Sequence, residues 1–356
     1  MKRYNKIIVL GIIILIVVFS GSYASWNAAN PEHTCARCHE INPSFHSWQT
    51  SAHRDVKCVE CHGTALSNGW HSLKEKGNMV LMHFTGNTRS SEIRLSEEQL
   101  METMKNCISC HQMEYSKWLS GGHSASYARI FLNEEHNKME QPYWDCMRCH
   151  GMFYEGAIYD LLEPDSTRGP WKLIDEKQTH RPVVPCFACH QIHTENEPLG
   201  VQWAWDDRSE TLQQRKETLK RRNPAASLFI RADKMYLRAD HLPNPAMYFN
   251  GNALQTSDNP LQRLCIQCHA PNFTYISGSE DDRTPRGVHQ GLSCMSCHEV
   301  HSNDASRSCI TCHPAISNCG LDVTTMNTTF FDKTSKNNIH FVSCEDCHGK
   351  GFRKNL

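Results

Sequence analysis

Eighteen of the chain's 19 cysteines fall into nine Cys-x-x-Cys pairs, and every pair is followed at once by a histidine. Histidine fills 22 of 356 positions, so nine such neighbours by chance have odds on the order of 10⁻¹¹, which leaves the c-type haem attachment signature C-x-x-C-H. In that chemistry both thiols form thioethers to the porphyrin, and the adjacent histidine is set beneath the iron as its proximal ligand. The thiols are Cys35 and Cys38, Cys58 and Cys61, Cys107 and Cys110, Cys146 and Cys149, Cys186 and Cys189, Cys265 and Cys268, Cys294 and Cys297, Cys309 and Cys312, and Cys344 and Cys347. The proximal ligands are His39, His62, His111, His150, His190, His269, His298, His313 and His348. A disulfide-stapled domain is thereby excluded, and zinc ribbons fit poorly, because they need no histidine at a fixed next position.

Nine covalently bound c-type haems change what length implies. The 356 residues alone suggest about two domains, but nine haems leave only about 37 residues each, too few to build a large side-chain core. The porphyrins must supply much of the buried apolar surface. The expected fold is mainly α with much irregular loop, little or no sheet and a haem-stacked core. A net charge of −1 gives no argument for a nucleic-acid partner.

Lys2, Arg3 and Lys6 precede an apolar run from Ile7 to Phe19, and no charge follows until Glu32. One alternative is a signal-peptide core with a small-x-small site at Ser22-Tyr23-Ala24. The other is a single transmembrane anchor from Ile7 to Trp26, about one bilayer span with tryptophan at the interface. Either places the haem region on the periplasmic, extracytoplasmic side of the cytoplasmic membrane, since the basic residues stay inside.

Motif starts are 15 to 79 residues apart, with no solenoid period. A local duplication is visible instead: Trp48 and His53 follow the first motif as Trp118 and His123 follow the third, five residues apart each time. Ser91 to Asn106 reads as a helix delivering the third motif, with Ile93, Leu95, Leu100 and Met104 apolar. Asp206 to Arg222 reads as a polar helix, and the Pro- and Asn-rich stretch Leu242 to Pro260 as loop. The expected organisation is an anchor over 1–28, a five-haem lobe over 29–200, a linker with the polar helix over 201–260 and a four-haem lobe over 261–356.

Thirteen histidines remain outside the motifs, enough for a second ligand on every iron. Their identity matters because axial ligands tune the potential and decide whether an iron has an open position. His53, His180, His289 and His340 lie shortly before a motif. His193 and His301 lie three residues after a proximal histidine, where one helical turn could join ligands of two stacked haems. His123 gains weight from the duplication. Met113 is the methionine best placed to replace a histidine, and Cys319 reads as an unpaired thiol.

Residues 7 to 111 resemble the membrane-anchored multihaem quinol dehydrogenases of the NapC/NirT type. The resemblance rests on the N-terminal helix, a first motif within ten residues of its end, Trp48-Gln-Thr-Ser51-Ala-His53 ahead of the second motif, and Glu92-Ile-Arg94 leading into Asn106 and the third. It implies a quinol site near Trp70 to Gly86, where Lys74, Glu75 and Lys76 become proton-handling candidates; a solvated helix face is the other account of those charges. Ile41 departs from the family's methionine, and the chain continues well past the family's four or five haems. Its C-terminal part, with Gly287-Val-His289-Gln-Gly291 before Cys294, is similar to the tail of octahaem cytochromes acting on small oxyanions.

Two functions follow. The first is a membrane-anchored electron carrier that takes electrons from quinol, or from a quinol-oxidising membrane protein, and delivers them to a downstream redox protein or reductase. The second is a multihaem oxidoreductase acting on nitrite, hydroxylamine or tetrathionate. Surplus histidines and nine regular motifs favour the carrier.

Overall fold

A computed structural model describes residues 2–38, 41–64, 69–85, 96–137, 141–142, 146–151, 153–154, 156–190, 247–249, 252–269, 283–302, 304–305, 308–313, 332, 334–335, 338–341 and 343. As the composition requires, the described chain is mostly helical, with short elements and two strand pairs. Helix α1 (Lys2–Ala28) contains a stretch, Tyr4–Ala28, of 25 residues and mean hydropathy 2.7 that is nowhere buried in the protein. At 1.5 Å per residue it measures about 37 Å, enough to cross a hydrocarbon core of about 30 Å.

The described residues fall into two compact units, one ending at Cys110 and one beginning at His111. The first holds α1, α2 (Asn42–Gln49), α3 (Cys58–His62), α4 (Gly69–Thr85) and α5 (Glu97–Cys110). Helix α5 begins later than Ser91 and ends later than Asn106. Ser96 and Gln99 form a reciprocal capping box, Gln99 N–H donating to Ser96 Oγ and Ser96 N–H to Gln99 Oε1, which fixes the start at Glu97. The helix then runs through Cys110, so it carries the third motif's thiols rather than merely leading to them. Residues 91–95 lie outside the described set.

The second unit holds α6 (Gln112–Ser120) and a series of short helices and 3-10 turns. Its side-chain core is one cluster of Tyr127, Phe131, Met147, Ile158, Leu161, Leu162, Trp171 and Val183. Strands β1 (Leu162–Glu163) and β2 (Lys172–Leu173) pair antiparallel at its edge, Leu162 opposite Leu173. Strands β3 (Met247–Phe249) and β4 (Asn252–Leu254) also pair antiparallel, where a loop was expected between Leu242 and Pro260. Asn250-Gly251 between Met247-Tyr-Phe249 and Asn252-Ala-Leu254 is the hairpin signal that the Pro and Asn content obscured. The expected polar helix over Asp206 to Arg222 lies outside the described residues.

In the first unit, Leu100 and Met104 are the buried apolar side chains among the described residues. Two such residues cannot hold a unit of this size together, which agrees with haem supplying the core.

Candidate haem centres

The described motifs are built on short helical or 3-10 turns. The second and fourth form single helical turns, Cys58–His62 and Cys146–His150; the third and sixth end longer helices; the first, fifth and seventh open on 3-10 turns. In the fifth, seventh and eighth motifs the histidine N–H donates to the carbonyl of the first cysteine, His190 to Cys186 at 2.9 Å, His298 to Cys294 at 2.9 Å and His313 to Cys309 at 2.7 Å. One turn closed in this way puts positions i, i+3 and i+4 on a single face, so two sulfurs and an imidazole address the same porphyrin. The sixteen cysteines of the first eight motifs are not joined in disulfides. Among the described residues no group of three or more His, Cys, Asp or Glu closes around a metal ion. His39, Cys344, Cys347, His348 and Cys319 lie outside the described set.

Motifs meet through their sulfurs. Cys58 and Cys35 are hydrogen-bonded side chain to side chain, which draws the Cys35 thiol down to about 6 and pushes that of Cys58 up. Asn106 Nδ2 donates to Cys61 O at 2.7 Å, docking α5 on the second motif. Burial, followed by the charges of Cys107, Glu60 and Cys110, pushes the Cys61 thiol up to about 11. In the second unit Cys265 and Cys294 are likewise hydrogen-bonded, and Cys149 Sγ lies 4.0 Å from Cys268 O. These sulfurs are the atoms that would carry the thioethers, so their spacing, not their acidity, bears on the haems.

Four histidines outside the motifs face motif histidines. Ring centroids are 6.1 Å apart for His123 and His269, 6.1 Å for His190 and His301, 6.0 Å for His298 and His340, and 6.3 Å for His289 and His313. An imidazole nitrogen binds a metal at about 2 Å and stands about 1.1 Å from its ring centre, so two imidazoles on opposite sides of one iron have centres roughly 6.3 Å apart. The residues present therefore fit haem iron. His123 is half-buried, and burial first, then the His269 and His298 imidazoles, lowers its pKa to about 4. His340 Nδ1 donates to Asn338 Oδ1 at 2.9 Å, which fixes the tautomer of its ring.

The other candidates are placed differently. His180 is exposed, His53 is half-buried with its N–H on Ser51 Oγ, and His193 lies outside the described residues. Met113 is 66% exposed on α6. Lys76 Nζ donates to the carbonyl of Gly63 at 3.2 Å, beside the second motif, whereas Lys74 turns toward Glu98 of α5 at 4.0 Å. The side chain of Glu75 is outside the described set. Gly63 ends α3 at φ 69°, a left-handed conformation that favours glycine.

The sequence reading singled out Trp48 and Trp118 without their roles and missed several other positioning residues. Trp48 Nε1 donates to Val56 O at 2.9 Å and Trp118 Nε1 to Val184 O at 3.2 Å; each acceptor lies two residues before a motif. Phe45 and Tyr115, three residues before their tryptophans, pack on them at 5.4 Å (tilted) and 5.6 Å (stacked), so the duplication extends to an aromatic-x-x-Trp brace. The segment from His298 to His301 is a turn, not helix. Glu299 accepts from the N–H groups of His301 (3.1 Å) and Ser302 (2.7 Å), from Ser302 Oγ (2.8 Å) and from Lys117 Nζ (3.2 Å). The Ser302 bonds foremost, then Lys117, hold its carboxyl at about 2. Arg286 lies between the Phe249 and Phe341 rings, 4.0 and 3.7 Å from their centres, and its N–H donates to His340 O at 2.7 Å.

The comparison with known proteins meets this geometry at the N-terminal end. Residues 2–156 match the NapC/NirT cytochrome c family, N-terminal region. Over those residues the chain is similar to a c-type cytochrome family, and they include the one described helix long and apolar enough to cross a membrane. The match takes in the first four motifs and stops before the fifth. A relative, the cytochrome c-type protein NrfH of Wolinella succinogenes, is 27% identical over 171 residues, 46% of this chain and 92% of the relative. No solved structure matches.

Proposed function

We propose that this cytochrome carries nine covalent haems, five over residues 29–200 and four over 261–356, and passes electrons from the membrane quinol pool, or from a quinol-oxidising membrane protein, to a periplasmic or extracellular redox protein or reductase. Its ligands are the nine motif histidines from His39 to His348. Haem, when bound, supplies the one-electron chemistry. The chain's residues hold irons close together and set their surroundings.

The observation that carries this reading is motif-to-motif contact: Cys35 with Cys58, Cys61 beside Cys107, Cys149 with Cys268, and Cys265 with Cys294. Attachment atoms this near to one another give haems no room to stand apart. The NapC/NirT match supports quinol as the donor, and Lys76, held beside the second motif, is the best placed of Lys74, Glu75 and Lys76 to serve a proton-coupled site.

Mass spectrometry of the mature protein tests both haem number and anchoring. Nine haems on a chain that retains Lys2 to Trp26 are expected, and a chain starting at Ser25 removes the anchored carrier. Quinol oxidation by membranes should fall when Lys76 is replaced by Met; activity that survives replacement of Lys74, Glu75 and Lys76 together counts against the quinol site. A high-spin iron signal that responds to nitrite or hydroxylamine in the untouched protein would replace the carrier with an oxyanion reductase.

A further inference from the structure

We propose that His301, His123, His340 and His289 are the second axial ligands of the haems attached at Cys186, Cys265, Cys294 and Cys309, in that order. The assignment rests on the haem reading of the motifs and adds to it which histidine serves which iron.

The geometry points the same way four times. Each pair joins one motif histidine to one histidine outside the motifs, and all four separations, 6.0 to 6.3 Å, match two imidazoles flanking one metal. Other ring pairs stand equally far apart, Tyr127 and Phe131 at 6.2 Å for one; what sets these four apart is that each joins a motif histidine to a histidine outside the motifs. Sequence neighbourhood cannot produce the match: the partners in the four pairs come from segments as far apart as His123 and His269.

Each outer histidine is also held by its own support. His123 is half-buried on a 3-10 turn, Gly122–Ser124, directly after the Trp118 brace. His301 is fixed by the Glu299 carboxylate, with its Nδ1 3.8 Å from Glu299 Oε1. His340 has its tautomer set by Asn338. His289 and His340 sit on the paired turns Gly287–His289 and Ile339–Phe341, which Arg286 joins through its N–H to His340 O and its guanidinium between two rings. Metal-binding histidines characteristically carry such outer support, because it orients the ring and fixes which nitrogen is free.

These four irons then have no open position. Substrate chemistry on an oxyanion is excluded from them, and they act as relays.

The test uses the full-length, haem-loaded protein and low-temperature EPR. Each of His123→Gly, His289→Gly, His301→Gly and His340→Gly should convert one low-spin haem to high-spin, reversed by added imidazole. Combining His123→Gly with Cys265→Ser and Cys268→Ser should abolish that new signal, because the haem that lost its ligand is gone. The conservative variants His123→Met and His340→Met should keep nine haems and six ligands while raising one potential, which covers any glycine variant that fails to assemble. Variants that retain nine haems and stay wholly low-spin overturn the assignment while leaving the haem reading intact. A His123→Gly signal that persists without Cys265 and Cys268 overturns that pairing. Absence of haem by mass would instead overturn the proposed function itself.

Discussion

Replacing Gly121 by alanine should loosen the second unit at the point where His301 is held. Gly121 has φ −95° and ψ 173°, a conformation open to any residue, so the substitution carries no backbone strain of its own. Its cost is steric. An added Cβ would lie 2.7 Å from Ser302 O, 3.0 Å from Ser302 C and 3.3 Å from His301 O. Carbon-to-oxygen contacts ordinarily stand at about 3.3–3.6 Å, so the 301–302 backbone must retreat by roughly 0.6–0.9 Å. It is poorly free to do so: Glu299 holds the His301 and Ser302 N–H groups and the Ser302 hydroxyl, and Glu299 N–H donates to Asp304 O at 3.0 Å. Overpacking of this kind costs about 1–3 kcal/mol. Guanidinium denaturation of the haem-loaded protein, followed in the Soret band, should show that loss as a lower midpoint. The neighbouring Gly122→Ala is the internal control, since its Cβ meets nothing within 4 Å. If Gly121→Ala proves as stable as Gly122→Ala, the close approach of Gly121 to Ser302 is wrong, and with it the placement of the His301 turn.

Glu299→Ala removes four hydrogen bonds, one of them from Lys117. Charge-assisted bonds are worth about 1.5–3 kcal/mol each when buried, but this carboxylate is partly solvated, so a total loss of about 1–2 kcal/mol in the same denaturation assay is expected. Trp118→Phe keeps the stack on Tyr115 and deletes the bond to Val184 O, which should cost about 1 kcal/mol; Trp48→Phe should show a matching loss at Val56. Ile158→Ala empties a fully buried position in the Tyr127 cluster and should cost about 2–5 kcal/mol, read as a fall in thermal midpoint.

What the sequence made legible was local. The C-x-x-C-H motif encodes its own helical turn, because i, i+3 and i+4 share a face whatever surrounds them. The apolar N-terminal helix was equally plain, since its apolarity has no competitor over 25 residues, although the same pattern serves an anchor or a signal peptide. Boundaries were harder. Ser96-Glu-Glu-Gln99 is a capping box written out in sequence, yet the acidic residues drew attention as a first turn without the cap that starts it. The β3–β4 pair was missed because proline and asparagine nearby outweighed one Asn-Gly step. Partnerships between histidines could not be read at all. His190 faces His301 across more than a hundred residues, and nothing near either position records the other.

This non-local pairing changes how the motif order should be understood. In the second unit the chain does not present its motifs in the order in which they touch. Cys149 of the fourth motif meets Cys268 of the sixth, and Cys265 of the sixth meets Cys294 of the seventh and lies within electrostatic reach of Cys189 of the fifth. The sixth motif is therefore a meeting point of three others rather than a link between two. Its outer histidine, His123, comes from just after the third motif, and the fifth motif's, His301, from just after the seventh. Segments on both sides of the long gap between Cys189 and Cys265 thus contribute to the same pairs. Such interlocking suits a unit with little side-chain core: on the proposed assignment each of the four described histidine pairs would tie two separate stretches of chain to one iron, so that each haem would close a loop as well as fill space.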